Sequence, residues 1–495
     1  MPTTTVDRLK AARRVSAPLV AVATPDQPAT IETIRAAVNG SAPLLRWDLL
    51  AGLAAVNETG AALRADIIGT DYDPTEGNPA ELLKRCVDLP AGAAVLVVNA
   101  HLFIDQPPVI QGVANLRDRF KQDRRTLVLL APAWSSIPPE LAGDLVTIDE
   151  QLPDAQQLRA ILAGLAESAG VELDEQTIGR AVEATAGLHA FQVEQLAAMA
   201  LTRAGLDVDD LWESKRRQVE LTPGLKVYRG AETFEQVGGV PVVKRFLSQL
   251  VTGNDRPRAV VFLDEIEKAM AGAGGDTSGV SQDALGTLLS YMQDQHAAGL
   301  IFLGPPGSAK SLVAKAAGNV AGVPTIQLDL GACRGSLVGQ SEAQLRGALK
   351  VVSAVSSGAS LWIATCNSIN ELPPELRRRF TLGTYYFDLP TAEERAEIWP
   401  IHLAGYGLDG LDPATVADDG WTGAEIRACC DIARRLGSDL ATAAGYVVPV
   451  SRSAADRLDA LRRLADGRFL SASLPGVYKR RNEQTAPGRR ALTTA

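Results

Sequence analysis

Histidine is scarce in this chain: four residues, His101, His189, His296 and His402, stand far apart in 495. The five cysteines, Cys86, Cys333, Cys366, Cys429 and Cys430, show no C-x-x-C spacing. A zinc site or a disulfide framework needs clustered or paired ligands, so both are disfavoured, and the thiols are expected to be reduced and mostly packed. With no evident Ser/His/Asp arrangement, hydrolysis by an activated side-chain nucleophile has little support. A basic excess is missing too. The 49 Lys and Arg residues face 58 Asp and Glu, a net charge of −9, so no chain-wide positive field draws nucleic acid. No apolar run approaches the roughly 20 residues that span a bilayer. The first ten residues lack the apolar stretch of a secretion signal. The sequence therefore predicts a cytoplasmic protein with no membrane association.

What is present is ordinary for a globular chain, 46% hydrophobic and 22% charged, and the length suggests roughly three domains. Residues 1–150 read as α/β. Continuous apolar strands at Pro18–Ala23, Ala94–Val98 and Thr126–Leu130 have the pattern of a parallel sheet, with a helical run at Ile31–Val38. No phosphate-binding loop occurs here, and the Val95 strand ends in Asn99-Ala100 rather than in acids. Residues 151–222 read as a helical, lid-like region. Residues 223–390 read as a second α/β domain, 391–465 as a small helical domain, and 466–495 as a flexible basic tail. The tail is either a solvated end or a minor phosphate- or partner-binding segment. A faint echo links the halves: Leu127–Leu130 is followed by Ile137-Pro138-Pro139-Glu140-Leu141, and Leu361–Ile363 by Leu372-Pro373-Pro374-Glu375-Leu376. It reads as a domain-level repeat whose first copy is degenerate, against coincidence in common α/β wording.

The strongest local signal is Gly304-Pro305-Pro306-Gly307-Ser308-Ala309-Lys310-Ser311, between an apolar run and a helical one. Glycines let backbone wrap an anion, and the helix N-terminus offers free N–H groups. Lys310 would reach the β- and γ-phosphates of ATP, Ser311 would hold Mg²⁺, and Leu312 continues the loop into the helix. Ala309 stands where glycine usually precedes the lysine, which costs backbone freedom. Ala259–Leu263 is an apolar strand that ends in Asp264-Glu265. Asp264 would act on Mg²⁺ and Glu265 on the attacking water. Leu361–Cys366 is another apolar strand, and Asn367 at its end suits the lytic water or the γ-phosphate. The cluster Arg377-Arg378-Arg379 is either a solvated helix end that complements the dipole or an arginine finger for a neighbouring subunit, with Arg378 and Arg379 the better candidates.

From about Phe234 to Leu436 the sequence resembles the AAA+ ATPases of the classical clade. Gly304–Ser311 is similar to Walker A, Asp264-Glu265 to Walker B and Asn367 to sensor 1. Phe234…Val237-Gly238-Gly239 is similar to the linker near the adenine, which implicates Gly238. Trp421–Arg427 is similar to the start of the sensor 2 helix, although Arg427 is one residue off the commonest spacing. Ser336–Glu342 falls where the first pore loop lies, with Leu337 in place of the usual aromatic. The chain looks most like the plastid-reading-frame ATPases and their bacterial relatives. The resemblance implies a P-loop AAA+ module, a parallel sheet sandwiched by helices with a helical lid, preceded by a degenerate α/β ATPase-like domain. It further implies ATP and Mg²⁺, a homo-oligomeric ring of six subunits, and a macromolecular client, most simply a protein. Nucleic acid rests only on the basic tail. The alternative is a nucleotide-gated scaffold with little turnover.

One feature departs from that family: Walker B precedes Walker A. A strand–helix block, about Arg258 to His296, is transposed ahead of the phosphate loop. All strands of such a sheet are parallel, so moving the block reroutes only returns on the edge opposite the site. Each reroute skips one strand, roughly 5 Å, and keeps the right-handed crossover. The sheet is expected to keep its spatial order of last strand, Walker A, sensor 1, Walker B and outer strand, with Asp264 near Lys310. A strained, misassembled module is the alternative.

Overall fold

The apolar runs become the strands of two sheets in the computed structural model of the chain, which describes residues 5–37, 42–68, 73–132, 134, 137–203, 205–270, 280–333 and 340–480. Two units emerge, Met1–Ala169 with His189–Met199, and Gly170–Leu188 with Ala200–Ala495. The stretch 151–222, expected as one helical region, is thus divided. Helix Ala155–Ser168 belongs to the first unit, and helices Glu175–Thr185 and Val208–Glu220 to the second.

In the first unit β1 (Leu19–Ala23), β2 (Leu44–Asp48), β3 (Gly52–Ala55), β4 (Ala94–Val97), β5 (Thr126–Ala131) and β6 (Val146–Asp149) form one sheet. Its order is β3-β2-β4-β5-β1-β6, and only the β2–β3 pair is antiparallel. The strands with unbroken apolar runs, β4 and β5, are buried along their whole length, as strands covered on both faces must be. Trp47 of β2 is fully buried and satisfies its indole N–H by donating to the Thr75 carbonyl at 3.1 Å.

The second unit opens with a short hairpin, β7 (Leu201–Thr202) and β8 (Gly205–Leu206). Its main sheet comprises β9 (Leu225–Val227), β10 (Ala259–Leu263), β11 (Ala298–Leu303), β12 (Thr325–Leu328), β13 (Ser360–Cys366), β14 (Thr384–Tyr386) and β15 (Leu470–Ser471). The order is β15-β14-β11-β13-β10-β12-β9. The transposed strand β10 therefore lies between β13 and β12, with Val261 opposite both Trp362 and Ile326. Side-chain alternation sets its two faces. Val261 and Leu263 join one core and Val260 and Phe262 the other.

The rerouted returns are short. Helix Val280–Asp294 reaches β11 through residues 295–297 and skips β13; helix Gln340–Ser356 reaches β13 through residues 357–359 and skips β10. Both returns turn on left-handed residues, His296 (φ 47°) in one and Ser357 (47°) with Gly358 (78°) in the other. The two helices share one core, where Leu288 and Met292 meet Leu345, Leu349 and Val352 beneath Trp362. That packing is what holds a strand whose sequence neighbours have changed.

The two sheets can be compared strand by strand. Reading β6-β1-β5-β4-β2 against β14-β11-β13-β10-β12 gives the same spatial succession. In the first sheet the strand matching β10 follows the one matching β11 in the chain, and in the second it precedes it. Both units carry a short proline-started helix with a buried leucine, Leu141 in one and Leu376 in the other. The second residue after the matching strand end is left-handed in each, Asn99 at φ 53° and Glu265 at φ 46°.

Two segments pack differently from the expectation. The small helical domain has its own core of Ile398, Trp399, Leu403, Trp421, Ile426 and Cys430. Helix Ala455–Ala465, expected within it, instead gives Leu461 and Ala465 to the core of the sheet. The tail expected to be flexible from 466 is docked as far as the described residues run. Leu470 and Ser471 pair with Tyr385 and Tyr386, and Tyr478 donates its hydroxyl to Asp388 at 2.6 Å, beside Arg462 on the same carboxylate at 2.8 Å. The basic residues Arg481, Arg489 and Arg490 lie outside the described residues, as does the pore-loop segment 334–339.

Candidate functional site

At the C-terminal ends of β10, β11 and β13 a cavity of 490 Å³ opens. Pro306 to Leu312 form one wall, Asp264, Glu265 and Asn367 another, and Gly238 and Arg427 approach from outside the sheet. This is where parallel α/β sheets take ligands.

The phosphate loop is shaped by its small residues. A Cβ on Gly304 would fall 2.3 Å from the Phe387 carbonyl oxygen, and Gly307 holds φ at 80°. Ala309 takes φ 65° although it is not glycine, and helix Lys310–Ala321 begins directly after it. Lys310 is buried, and its ammonium donates to the carbonyls of Gly304 at 2.8 Å and Pro305 at 2.7 Å. Those two residues lie behind the cavity and do not line it. Burial pulls the Lys310 pKa down to about 8, against the opposing pull of Glu267, Cys366, Glu265 and Asp264.

The transposed acids reach this loop. Ser311 donates its hydroxyl to Asp264 Oδ1 at 2.8 Å, and Thr365 of β13 donates to the same oxygen at 2.7 Å. The Thr365 hydroxyl also accepts the Glu265 N–H at 2.9 Å, which fixes the left-handed turn at the strand end. Asn367 donates its amide to Glu265 Oε1 at 3.1 Å, and Lys268 pairs with the other carboxylate oxygen. The Asn367 backbone N–H donates to Glu267 Oε1 at 2.9 Å. Two of these groups escaped the sequence reading. Thr365 looks like one more strand residue and Glu267 like a helix-surface acid. Only the pairing of Leu263 with Ala364 brings the hydroxyl beside Asp264.

Oxygen donors on Ser311 and Asp264 suit Mg²⁺, which keeps most of its waters and takes one or two protein ligands alongside phosphate. Among the described residues there is no group of three or more His, Cys, Asp or Glu that could cage a metal alone. The loop also fits a triphosphate, with a positive-φ glycine, a helix N-terminus and a buried ammonium together.

At the far end of the cavity Gly238 packs on the lid, where a Cβ would fall 2.5 Å from Ile398 Cγ1. The Gly239 N–H donates to Glu397 at 3.1 Å and the Val240 N–H to Glu394 at 3.0 Å. His402 lines the same end, its pKa lowered by burial and then by the charge of Arg427. Arg427 thus borders the cavity despite its shifted sequence spacing. Arg378 and Arg379 do not border it. Arg378 is exposed, and Arg379 donates to Gln293 at 2.6 Å.

The matching place in the first unit is closed. Only Thr24, Pro25 and Asp26 separate β1 from its helix, too few to wrap an anion. Gln27 and Asn99 clasp each other there, the Gln27 amide donating to Asn99 Oδ1 at 2.7 Å and the Asn99 N–H to Gln27 Oε1 at 2.9 Å.

Residues 5–150 match the model for the SpoVK-like AAA ATPase, N-terminal domain, and residues 156–222 that for its second domain. Residues 300–360 match the ATPase family associated with various cellular activities (AAA). That match runs from the Walker A strand to the start of β13 and leaves out β10. An uncharacterized AAA domain-containing protein ycf46 from Guillardia theta is 24% identical over 403 residues, 72% of this chain and 71% of its own length. Its counterpart in Gracilaria tenuistipitata var. liui is 25% identical over 377 residues, 66% of this chain and 70% of its own. The chain is thus similar to the AAA ATPases, with matches to SpoVK-like domains ahead of a match to an AAA domain.

Proposed function

We propose that this protein hydrolyses Mg²⁺-bound ATP between the subunits of a six-membered ring and uses the cycle to remodel a protein client. One observation carries the reading: Ser311 of the phosphate loop and Thr365 of the sensor strand converge on the same oxygen of Asp264. Ser311 and Asp264 would hold Mg²⁺, which supplies charge neutralisation on the phosphates. Lys310 would leave its own loop carbonyls for the phosphate oxygens. Glu265 would orient a water and accept its proton, and Asn367 would hold that carboxylate in place. Arg427 would add positive charge from the lid. Arg378 and Arg379, which do not border their own subunit's cavity, would serve a neighbour's γ-phosphate. Among the described residues no helix is long and apolar enough to cross a membrane, in keeping with work in the cytoplasm.

The test is ATP turnover of the intact chain beside Glu265→Gln. Removal of the general base should cost about 100-fold or more with ADP affinity retained. Equal rates at background in both proteins overturn the enzyme reading. That outcome would favour a nucleotide-gated scaffold, which the engagement of both Glu265 oxygens, by Asn367 and by Lys268, also suits.

A further inference from the structure

Glu267 lies on the short helix Ile266–Met270, just beyond the Asp264-Glu265 pair. Acids at such positions are ordinarily solvated, yet this residue is only 4% exposed. One carboxylate oxygen accepts the Asn367 N–H at 2.9 Å. The other, Oε2, is buried, and the carboxylate neighbours the Cys366 thiol, whose pKa burial and then the Glu267 charge raise. A carboxylate held out of water is costly to bury, and such groups persist where geometry needs them. The bond it makes is the first after β13 ends at Cys366, where no strand neighbour holds the backbone any longer. Asn367 is also the residue whose side chain meets Glu265.

We propose that Glu267 is a positioning residue for the reaction: by accepting the Asn367 N–H it fixes the sensor backbone, so that the Asn367 amide stays in register with Glu265. The inference deepens the hydrolysis reading and rests on it for its kinetic part, although the backbone contact can be tested without turnover. Glu267 touches neither nucleotide nor water in this scheme; its charge also bears on Lys310, an effect that the uncharged glutamine separates from the backbone contact. Its own requirement is an oxygen acceptor at the right reach. A glutamine keeps that acceptor, whereas an alanine removes it.

The experiment uses the full chain and three variants, Glu267→Ala, Glu267→Gln and Glu265→Gln/Glu267→Ala. Amide hydrogen exchange of Asn367 is read with ADP and Mg²⁺ present, and ATP turnover alongside. Wild type and Glu267→Gln should protect the Asn367 amide, and Glu267→Ala should lose about 10-fold or more of that protection. In Glu267→Ala kcat should fall about 10- to 100-fold, while KM and ADP affinity stay within about 3-fold of wild type. Added to Glu265→Gln, the alanine change should cost almost nothing further, because the group it positions has gone. Three results overturn the proposal: unchanged Asn367 protection in Glu267→Ala, a glutamine variant as impaired as the alanine one, or losses that simply add. Protection that follows the proposal in a wild-type protein without turnover would uphold the contact and overturn the hydrolysis reading instead.

Discussion

Lys310 ties nucleotide affinity to pH. In the folded chain burial holds its pKa at about 8, whereas the unfolded-chain value is about 10.4. A bound polyphosphate surrounds the ammonium with negative charge and restores the charged form, so binding above pH 8 takes up a proton. With a free-state pKa of about 8 and an ammonium that stays charged when bound, affinity for ADP should fall about 30-fold between pH 7 and 9.5, or about 2 kcal/mol. At pH 8 about half a proton should be absorbed per nucleotide. Calorimetric titration of ADP and Mg²⁺ in buffers of different ionisation enthalpy reads both quantities. Lys310→Arg is the control, since a guanidinium stays charged throughout and should abolish the slope. The same linkage acts on folding. The native group has the lower pKa, so between about pH 8 and 10.4 the unfolded chain binds more protons and this residue's contribution makes stability rise with pH. A flat affinity profile, or parallel slopes in wild type and Lys310→Arg, refutes the reasoning.

Two further outcomes bear on the frame around the site. Ala309→Gly removes an L-residue from φ 65°, relieving about 1–2 kcal/mol against about 0.5–1 kcal/mol of added chain entropy. Urea unfolding should therefore show unchanged or raised stability, and a loss beyond about 1 kcal/mol would contradict the left-handed assignment. Tyr478→Phe deletes the hydroxyl bond to Asp388; hydrogen bonds to charged groups contribute about 1.5–3 kcal/mol, and Arg462 still neutralises the acid, so a loss near the lower figure is expected. No change in the unfolding midpoint would mean that the 470–478 segment is not docked.

The chemistry-bearing motifs were legible because each is local. Gly304–Ser311 and Asp264-Glu265 announce themselves through residue types that few other tasks require at that spacing. The sheet order followed from them, because parallel strands place every return on the side away from the site, and Val261 does pair with Trp362. What escaped depends on tertiary register. Thr365 gains its role only from the neighbour that β10 supplies, and Glu267 only from the backbone turn after Cys366. The two-residue strand β15 has no sequence signal of its own. Its docking rests on an aromatic, an arginine and Asp388, which meet across more than 70 positions. The apolar face of Ala455–Ala465 likewise does not say which core it joins.

The central claim is that a strand moved ahead of the phosphate loop still delivers its acid to that loop. A double-mutant cycle on Mg²⁺-ADP affinity, with Asp264→Asn, Ser311→Ala and the double variant, tests it most directly. The contact at 2.8 Å predicts strong coupling, with the two losses overlapping by about 1 kcal/mol or more when Mg²⁺ is present. Losses that add fully would mean that Asp264 and Ser311 do not share a site, and the transposed strand would then lie elsewhere.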